Sequence, residues 1–252
     1  SKSFLFVVFI TIKFSVKYNY FMKHKYLDRI KSLEGPPKKI NIFSEQEIKM
    51  IIELYDLLPE RTYNKKQNVR KKAWEQNYNK ELDKIYVSKL KEVLGDYKMD
   101  NLKSKSGEDL YGLFHESFEP LPIHVDSGFT PDEIIYKQVV TPLSSVGDTI
   151  FFKKRWYGRS TSFTIDSEEL KFKPKADQND RSNKHLGDKE FDKEIHKKYL
   201  SHIDINNLRG MEIEFIYEWK VGESLIVDRT HIHCASSRID HKKLGLTTFT
   251  KK

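Results

Sequence analysis

Two short stretches of this chain of 252 residues carry side chains that bind metal ions. In Leu121-Pro-Ile-His124-Val-Asp126-Ser-Gly128, a histidine and an aspartate stand two positions apart at what reads as a strand end. On an extended backbone, positions i and i+2 project from one face, so an imidazole and a carboxylate there can grip one cation together. Alone, the triplet also describes a surface histidine beside a turn-forming aspartate. About a hundred residues later, the apolar run Gly222-Glu-Ser-Leu-Ile-Val-Asp228 leads into Arg-Thr-His231-Ile-His233-Cys-Ala-Ser236. The two segments together offer histidines and one carboxylate to the same side of a metal, and such a facial set leaves the remaining coordination positions open.

These side chains need a scaffold, and the chain changes texture to supply one. The first clear element starts at Ser44, where Ser44 and Glu47 form the S-x-x-E pattern that satisfies the exposed amides of a helix start. Ile48, Ile51, Ile52, Tyr55 and Leu58 recur at helical spacing up to a stop near Pro59. A second helix is expected over Glu81 to Leu94, ended by Gly95. Residues 22–108 therefore read as a helical support. From about Asp109 short strands follow: Leu110 to Phe114, Ile134 to Leu143, Asp148 to Lys153, Met211 to Trp219, Ser224 to Val227 and Leu244 to Thr250. Met211, Ile213, Phe215, Tyr217 and Trp219 alternate with glutamates, predicting one buried and one wet face. Residues 109–252 thus form a β-sandwich or barrel. Residues 160–198, polar and of mixed charge, read as an inserted loop and a candidate lid.

The length suits one domain, and the 16 Phe, 13 Tyr and 3 Trp supply enough apolar area for a sizeable core. The net charge of +8 favours anionic partners. Its lysines are spread along the chain, which describes a solvated surface better than a nucleic-acid face. The single cysteine, Cys234, excludes an intramolecular disulfide and a multi-cysteine zinc site, and fits a reducing cytoplasm. Following His233, it reads as a small buried hydrophobe. The segment Phe4 to Val16 is apolar but interrupted by Lys13 and too short to span a bilayer, so no membrane partner is expected. Met22 is an alternative start, which would make residues 1–21 an extension.

From about Asp109 onward the chain resembles the Fe(II)/2-oxoglutarate-dependent oxygenase superfamily, and within it the phytanoyl-CoA-hydroxylase-like and related phage and bacterial branches. The resemblance rests on His124-x-Asp126, on the strand Gly222 to Val227 leading to His233-Cys-Ala-Ser, and on a cation about ten positions later, Lys243. It implies a double-stranded β-helix (jelly-roll) core with supporting helices. It also implies Fe(II) held by His124, Asp126 and His233, with 2-oxoglutarate as cosubstrate. His233 is preferred to His231 because small residues follow it and its spacing to Lys243 fits. His231 is then a wall residue of the site. In the family an arginine pairs with the far carboxylate of 2-oxoglutarate. Lys243 takes that place here with a point charge instead of a bidentate fork, and Arg238 is the second choice. On the last strand Lys243, Gly245, Thr247 and Phe249 share a face, so Gly245 would leave room for the cosubstrate and Thr247 would add a hydroxyl.

Gln138 and Thr149 are polar residues in otherwise apolar strands, and a buried polar group needs a partner, which the cosubstrate or the core can supply. Trp156, Tyr157 and Arg159 precede the insertion as candidate substrate-binding residues, while His115 and Glu116 make no metal motif with His124 by spacing. The resemblance implies hydroxylation of a C–H bond in a small-molecule or modified-residue substrate, with release of succinate and CO2. Because halogenating relatives lack the metal carboxylate, Asp126 speaks against halogenation. Two other readings stay open: a redox-silent divalent-metal hydrolase or isomerase on a β-sandwich, and a basic nucleic-acid-binding module.

Overall fold

The computed structural model describes residues 26–252 except 66, 77, 102–106, 108, 127–132, 159–160, 164–179 and 183. The apolar segment Phe4 to Val16, Met22 and Arg159 lie outside the described residues. No helix among the described residues is long and apolar enough to cross a membrane.

The elements follow the order α1 (26–32), β1 (Lys38–Ile40), α2 (Glu45–Leu57), β2 (Glu60–Asn64), β3 (Val69–Trp74), α3 (Lys80–Leu94), β4 (Lys98–Met99), β5 (Gly112–Ser117), β6 (His124–Val125) and β7 (Ile135–Pro142). They continue with β8 (Asp148–Arg155), β9 (Thr161–Phe163), β10 (Asp180–Ser182), α4 (Lys193–Tyr199), β11 (Ile213–Glu218), β12 (Ser224–Asp228), β13 (His231–Ala235) and β14 (Lys243–Lys251).

Both expected helices form for the expected reasons. Ser44 Oγ accepts from the Glu47 amide while the Glu47 carboxylate accepts from the Ser44 amide, a complete capping box that opens α2. Asn79 caps α3, which ends at Gly95 with φ +67°, a conformation glycine adopts without strain. The two helices pack Ile51, Tyr55, Leu82, Tyr86 and Leu90 against the outer face of one sheet, where Trp74, Phe114, Val139 and Leu246 meet them.

That sheet runs β1-β12-β7-β14-β5-β3-β2, and the second runs β10-β9-β6-β13-β8-β11. Consecutive strands alternate between sheets: β5, β7, β12 and β14 lie in the first and β6, β8, β11 and β13 in the second. This eight-strand order, β12-β7-β14-β5 facing β6-β13-β8-β11, is a double-stranded β-helix. The support region is more than helical. It also adds β1, β2 and β3 to the first sheet, because β3 pairs with β5 residue for residue from Val69↔Ser117 to Trp74↔Gly112.

The insertion is likewise not a plain loop, since β9 pairs with β6 and residues near α4 cover the outside of the second sheet. There Phe191, Leu200, Leu208 and Met211 bury Ile150, Phe152, Phe163 and Cys234.

The alternation expected along β11 breaks at Glu214. The register shifts between Ile213↔Phe152 and Phe215↔Phe151, so Ile213 joins the outer cluster with Phe152 while Phe215, Tyr217 and Trp219 turn inward with Phe151. The inward group, with Leu225 and Val227, floors the space between the sheets.

Candidate metal centre

The antiparallel pairing of β6 with β13 places His233 directly opposite His124, with ring centroids 4.4 Å apart. Asp126, two residues beyond His124, turns to the same side. Its Oδ1 lies 3.6 Å from His124 Nε2 and its Oδ2 3.3 Å from His233 Nε2. Ligand atoms of all three groups lie within 4.8 Å of one another.

The protons of the two imidazoles are fixed by their other nitrogens. His124 Nδ1 lies 2.7 Å from the Pro122 carbonyl and His233 Nδ1 3.0 Å from the His231 carbonyl. A carbonyl oxygen only accepts, so each Nδ1 carries a hydrogen, and in the neutral ring the Nε2 lone pair faces Asp126. Burial, reinforced by neighbouring His233, pushes His124 below its ordinary value and favours that neutral, ligating form. Burial opposes the charge on Asp126, but His233 and His124 outweigh it and hold the carboxyl well below the usual range. Three acceptors converging in this way require a cation between them. The donor set of two nitrogens and one carboxylate on one side fits a first-row divalent metal with open positions. Gln138 Nε2 donates to Asp126 Oδ2 at 3.0 Å, so the partner of this buried amide is the metal-site carboxylate itself.

His231 goes elsewhere. Between His231↔Arg155 and His233↔Phe151 the register of β13 against β8 shifts. His231 Nε2 meets Glu214 at 3.0 Å, and Glu214 also takes Arg155 Nη1 at 2.8 Å. The ring is buried, and its Nδ1 sits 3.2 Å from the Asp228 carbonyl. It is not among the residues lining the cavity that opens beside the triad.

That cavity is lined by the triad and by Gln138, Thr149, Lys243 and Thr247, with Gly245 and Trp219 at its floor. Lys243 is 4 % exposed, and its Nζ donates to the Asp148 carbonyl at 2.8 Å and to Thr149 Oγ1 at 3.3 Å. The ammonium also sits over the Trp219 ring, 4.2 Å from its centroid. Burial pushes Lys243 down to about 7, against the pull of Asp148. An ammonium has three donors and these contacts use two, leaving one N–H for a ligand. The space expected above Gly245 is taken: a Cβ there would meet Trp219 Cη2 at 2.6 Å, so the glycine admits the indole. The indole Nε1 in turn donates to Thr149 Oγ1 at 2.9 Å.

The other candidates lie outside the cavity lining. Arg238 is half exposed, with Nη1 3.6 Å from Asp148 Oδ2. Trp156 packs edge-on against Phe163 in the outer cluster, and Tyr157 donates to Glu34. Cys234 is fully buried among apolar side chains, and burial pushes its thiol up, as befits an inert core residue. Three cavity residues, His115, Ser117 and Tyr217, were not singled out as site residues from the sequence. His115 and Ser117 share the inner face of β5, and only the pairing of β5 with β14 sets them beside Gly245 and Lys243.

No family model matches the chain, and no curated protein matches it. The fold is similar to that of several solved structures. One is a 2OG-Fe(II) oxygenase family oxidoreductase from Burkholderia pseudomallei, at 10% identity over 91% of this chain and 89% of that one, with a TM-score of 0.46. HygX from Streptomyces hygroscopicus, solved with nickel, 2-oxoglutarate and hygromycin B, aligns at 9% identity over 88% and 85%, with a TM-score of 0.45. The epimerase SnoN, solved with Fe3+, alpha ketoglutarate and nogalamycin RO, aligns at 9% over 90% and 83%, with a TM-score of 0.49. The functional reading below rests on the side chains of this chain alone.

Proposed function

We propose that this protein is an Fe(II)- and 2-oxoglutarate-dependent oxygenase in which His124, Asp126 and His233 hold the metal and Lys243 receives the far carboxylate of the cosubstrate. One observation carries the reading: a three-acceptor metal site opens onto the same cavity as a buried lysine with an unused N–H. A zinc hydrolase would use such a triad, but it has no need of a second, buried cation set apart from the metal ligands. Iron, when bound, supplies the activation of dioxygen that couples decarboxylation of 2-oxoglutarate to oxidation of a C–H bond.

The residues of this chain do the positioning. The carbonyls of Pro122 and His231 orient the imidazoles, Gln138 orients Asp126, and Thr149 with Trp219 steadies the Lys243 ammonium. Thr247 adds a hydroxyl to the cavity wall, and Phe151, Tyr217 and Leu225 keep its floor apolar and exclude water. Hydroxylation of a small molecule is the outcome this arrangement suits, because all open metal positions face one enclosed space. Arg238, His231, Trp156 and Tyr157 serve the surrounding structure.

The test is formation of succinate and CO2 from 2-oxoglutarate under air with added Fe(II). His124→Ala and Asp126→Ala each abolish it while circular dichroism stays that of the wild type. Succinate formation that survives either substitution would contradict the assignment.

A further inference from the structure

One wall of the cavity holds polar groups to which the roles above give no task. Lys71 on β3 and His115 on β5 are direct cross-strand partners, and His115 is in turn paired with Gly245 on β14. Along β3, Lys72 and Trp74 face the helices, where Lys72 Nζ donates to the Tyr55 carbonyl and Trp74 packs on Tyr86. Alternation then turns Lys71 to the inner face, with His115 beside it. Lys71 is half-buried and makes no hydrogen bond or ion pair among the described residues. His115 lines the cavity, and its Nε2 is buried without a hydrogen-bond partner. The charge of Lys71 is felt at both His115 and His124, so this pair lies at the metal-binding end of the cavity. Asp126 also faces this wall, and it is engaged by Gln138 and the two ligand histidines.

An inward lysine without a counter-ion and a buried imidazole nitrogen without a partner are each costly unless a ligand meets them. Lys243 already provides for the far carboxylate of the cosubstrate. We propose that Lys71 and His115 form a subsite for an oxyanion, carboxylate or phosphate, carried by the primary substrate. The ammonium supplies the charge and the imidazole Nε2–H a directed hydrogen bond. The substrate class is then an acidic small molecule whose oxidised carbon lies between this subsite and the metal. The inference builds on the oxygenase reading of the cavity.

The test uses Co(II)-loaded protein saturated with 2-oxoglutarate and inorganic phosphate as the probe, read by paramagnetic relaxation of the 31P signal. Saturable relaxation is expected in the wild type. Lys71→Met and His115→Phe each weaken phosphate affinity about tenfold or more, Lys71→Arg and His115→Gln recover most of it, and 2-oxoglutarate affinity stays within about twofold throughout. Phosphate affinity unchanged in Lys71→Met would mean an adventitious ion only and would overturn the subsite. Displacement of phosphate by 2-oxoglutarate, or loss of 2-oxoglutarate binding in Lys71→Met, would assign the pair to the cosubstrate and equally overturn it. A wild type that binds phosphate through Lys71 but does not bind 2-oxoglutarate would instead overturn the oxygenase reading and leave the subsite standing.

Discussion

Lys243 is the residue on which the chemistry of the cavity turns, because its charge is not free. Burial pushes it down to about 7, so above that pH the free protein holds much of it neutral. A carboxylate arriving at its third N–H favours the charged form and raises its pKa again. Binding of 2-oxoglutarate to the metal-loaded protein should therefore take up protons above about pH 7, and its affinity should fall as pH rises, by at most about tenfold per unit. Calorimetry in buffers of different ionisation enthalpy measures the uptake directly. In Lys243→Met the uptake should vanish and the apparent KM for 2-oxoglutarate rise more than about tenfold, since a hydrogen bond to a charged group contributes about 1.5–3 kcal/mol. Metal affinity should change little. Proton uptake that persists in Lys243→Met would assign it to another group.

At the scale of elements, the site is made by pairings that a single strand cannot display. His124-x-Asp126 was legible because both ligands lie on one strand, and the capping box at Ser44 and the glycine stop at Gly95 were legible because they are local. His233 opposite His124 depends on β6 meeting β13, which is two residues against five and leaves little periodic signal. The register shifts in β11 and β13 were not legible either. They send Ile213 outward and His231 to Glu214, against a regular alternation, because packing against β8 decides them. The β2–β3 hairpin is rich in charged residues and was passed over, although β3 extends the sheet and supplies Lys71. Gly245 shows the same lesson at closer range, since small size there serves Trp219 and not the cosubstrate. Gly245→Ala should displace the indole, loosen Thr149 and Lys243, and weaken 2-oxoglutarate binding about tenfold with metal affinity retained. Unchanged cosubstrate affinity in that variant, measured by calorimetry, would show that the indole does not position Lys243.

At the scale of the molecule, the site sits in the middle of three packed clusters, helices outside one sheet and residues 185–211 outside the other, so ligand substitutions should spare the fold. The costly substitutions lie where distant segments are tied through buried charge. Lys137 Nζ pairs with Asp228 and donates to the Leu33 carbonyl, while Asp228 also accepts the Gly35 amide, pinning residues 33–35 to the barrel. Lys137→Met leaves the 3 % exposed Asp228 without its cation and should cost about 3–5 kcal/mol in a denaturant melt, with metal binding retained below the transition. A loss under about 1 kcal/mol would show the pair to be worth no more than a surface one. The account as a whole stands on iron and 2-oxoglutarate sharing one cavity, and anaerobic titration of the Fe(II)-loaded protein with 2-oxoglutarate tests that most directly. Chelation at iron should produce a visible charge-transfer band in the wild type, absent in Asp126→Ala and needing far more 2-oxoglutarate in Lys243→Met; a wild type that binds Fe(II) yet shows no band at any 2-oxoglutarate concentration would contradict the oxygenase assignment.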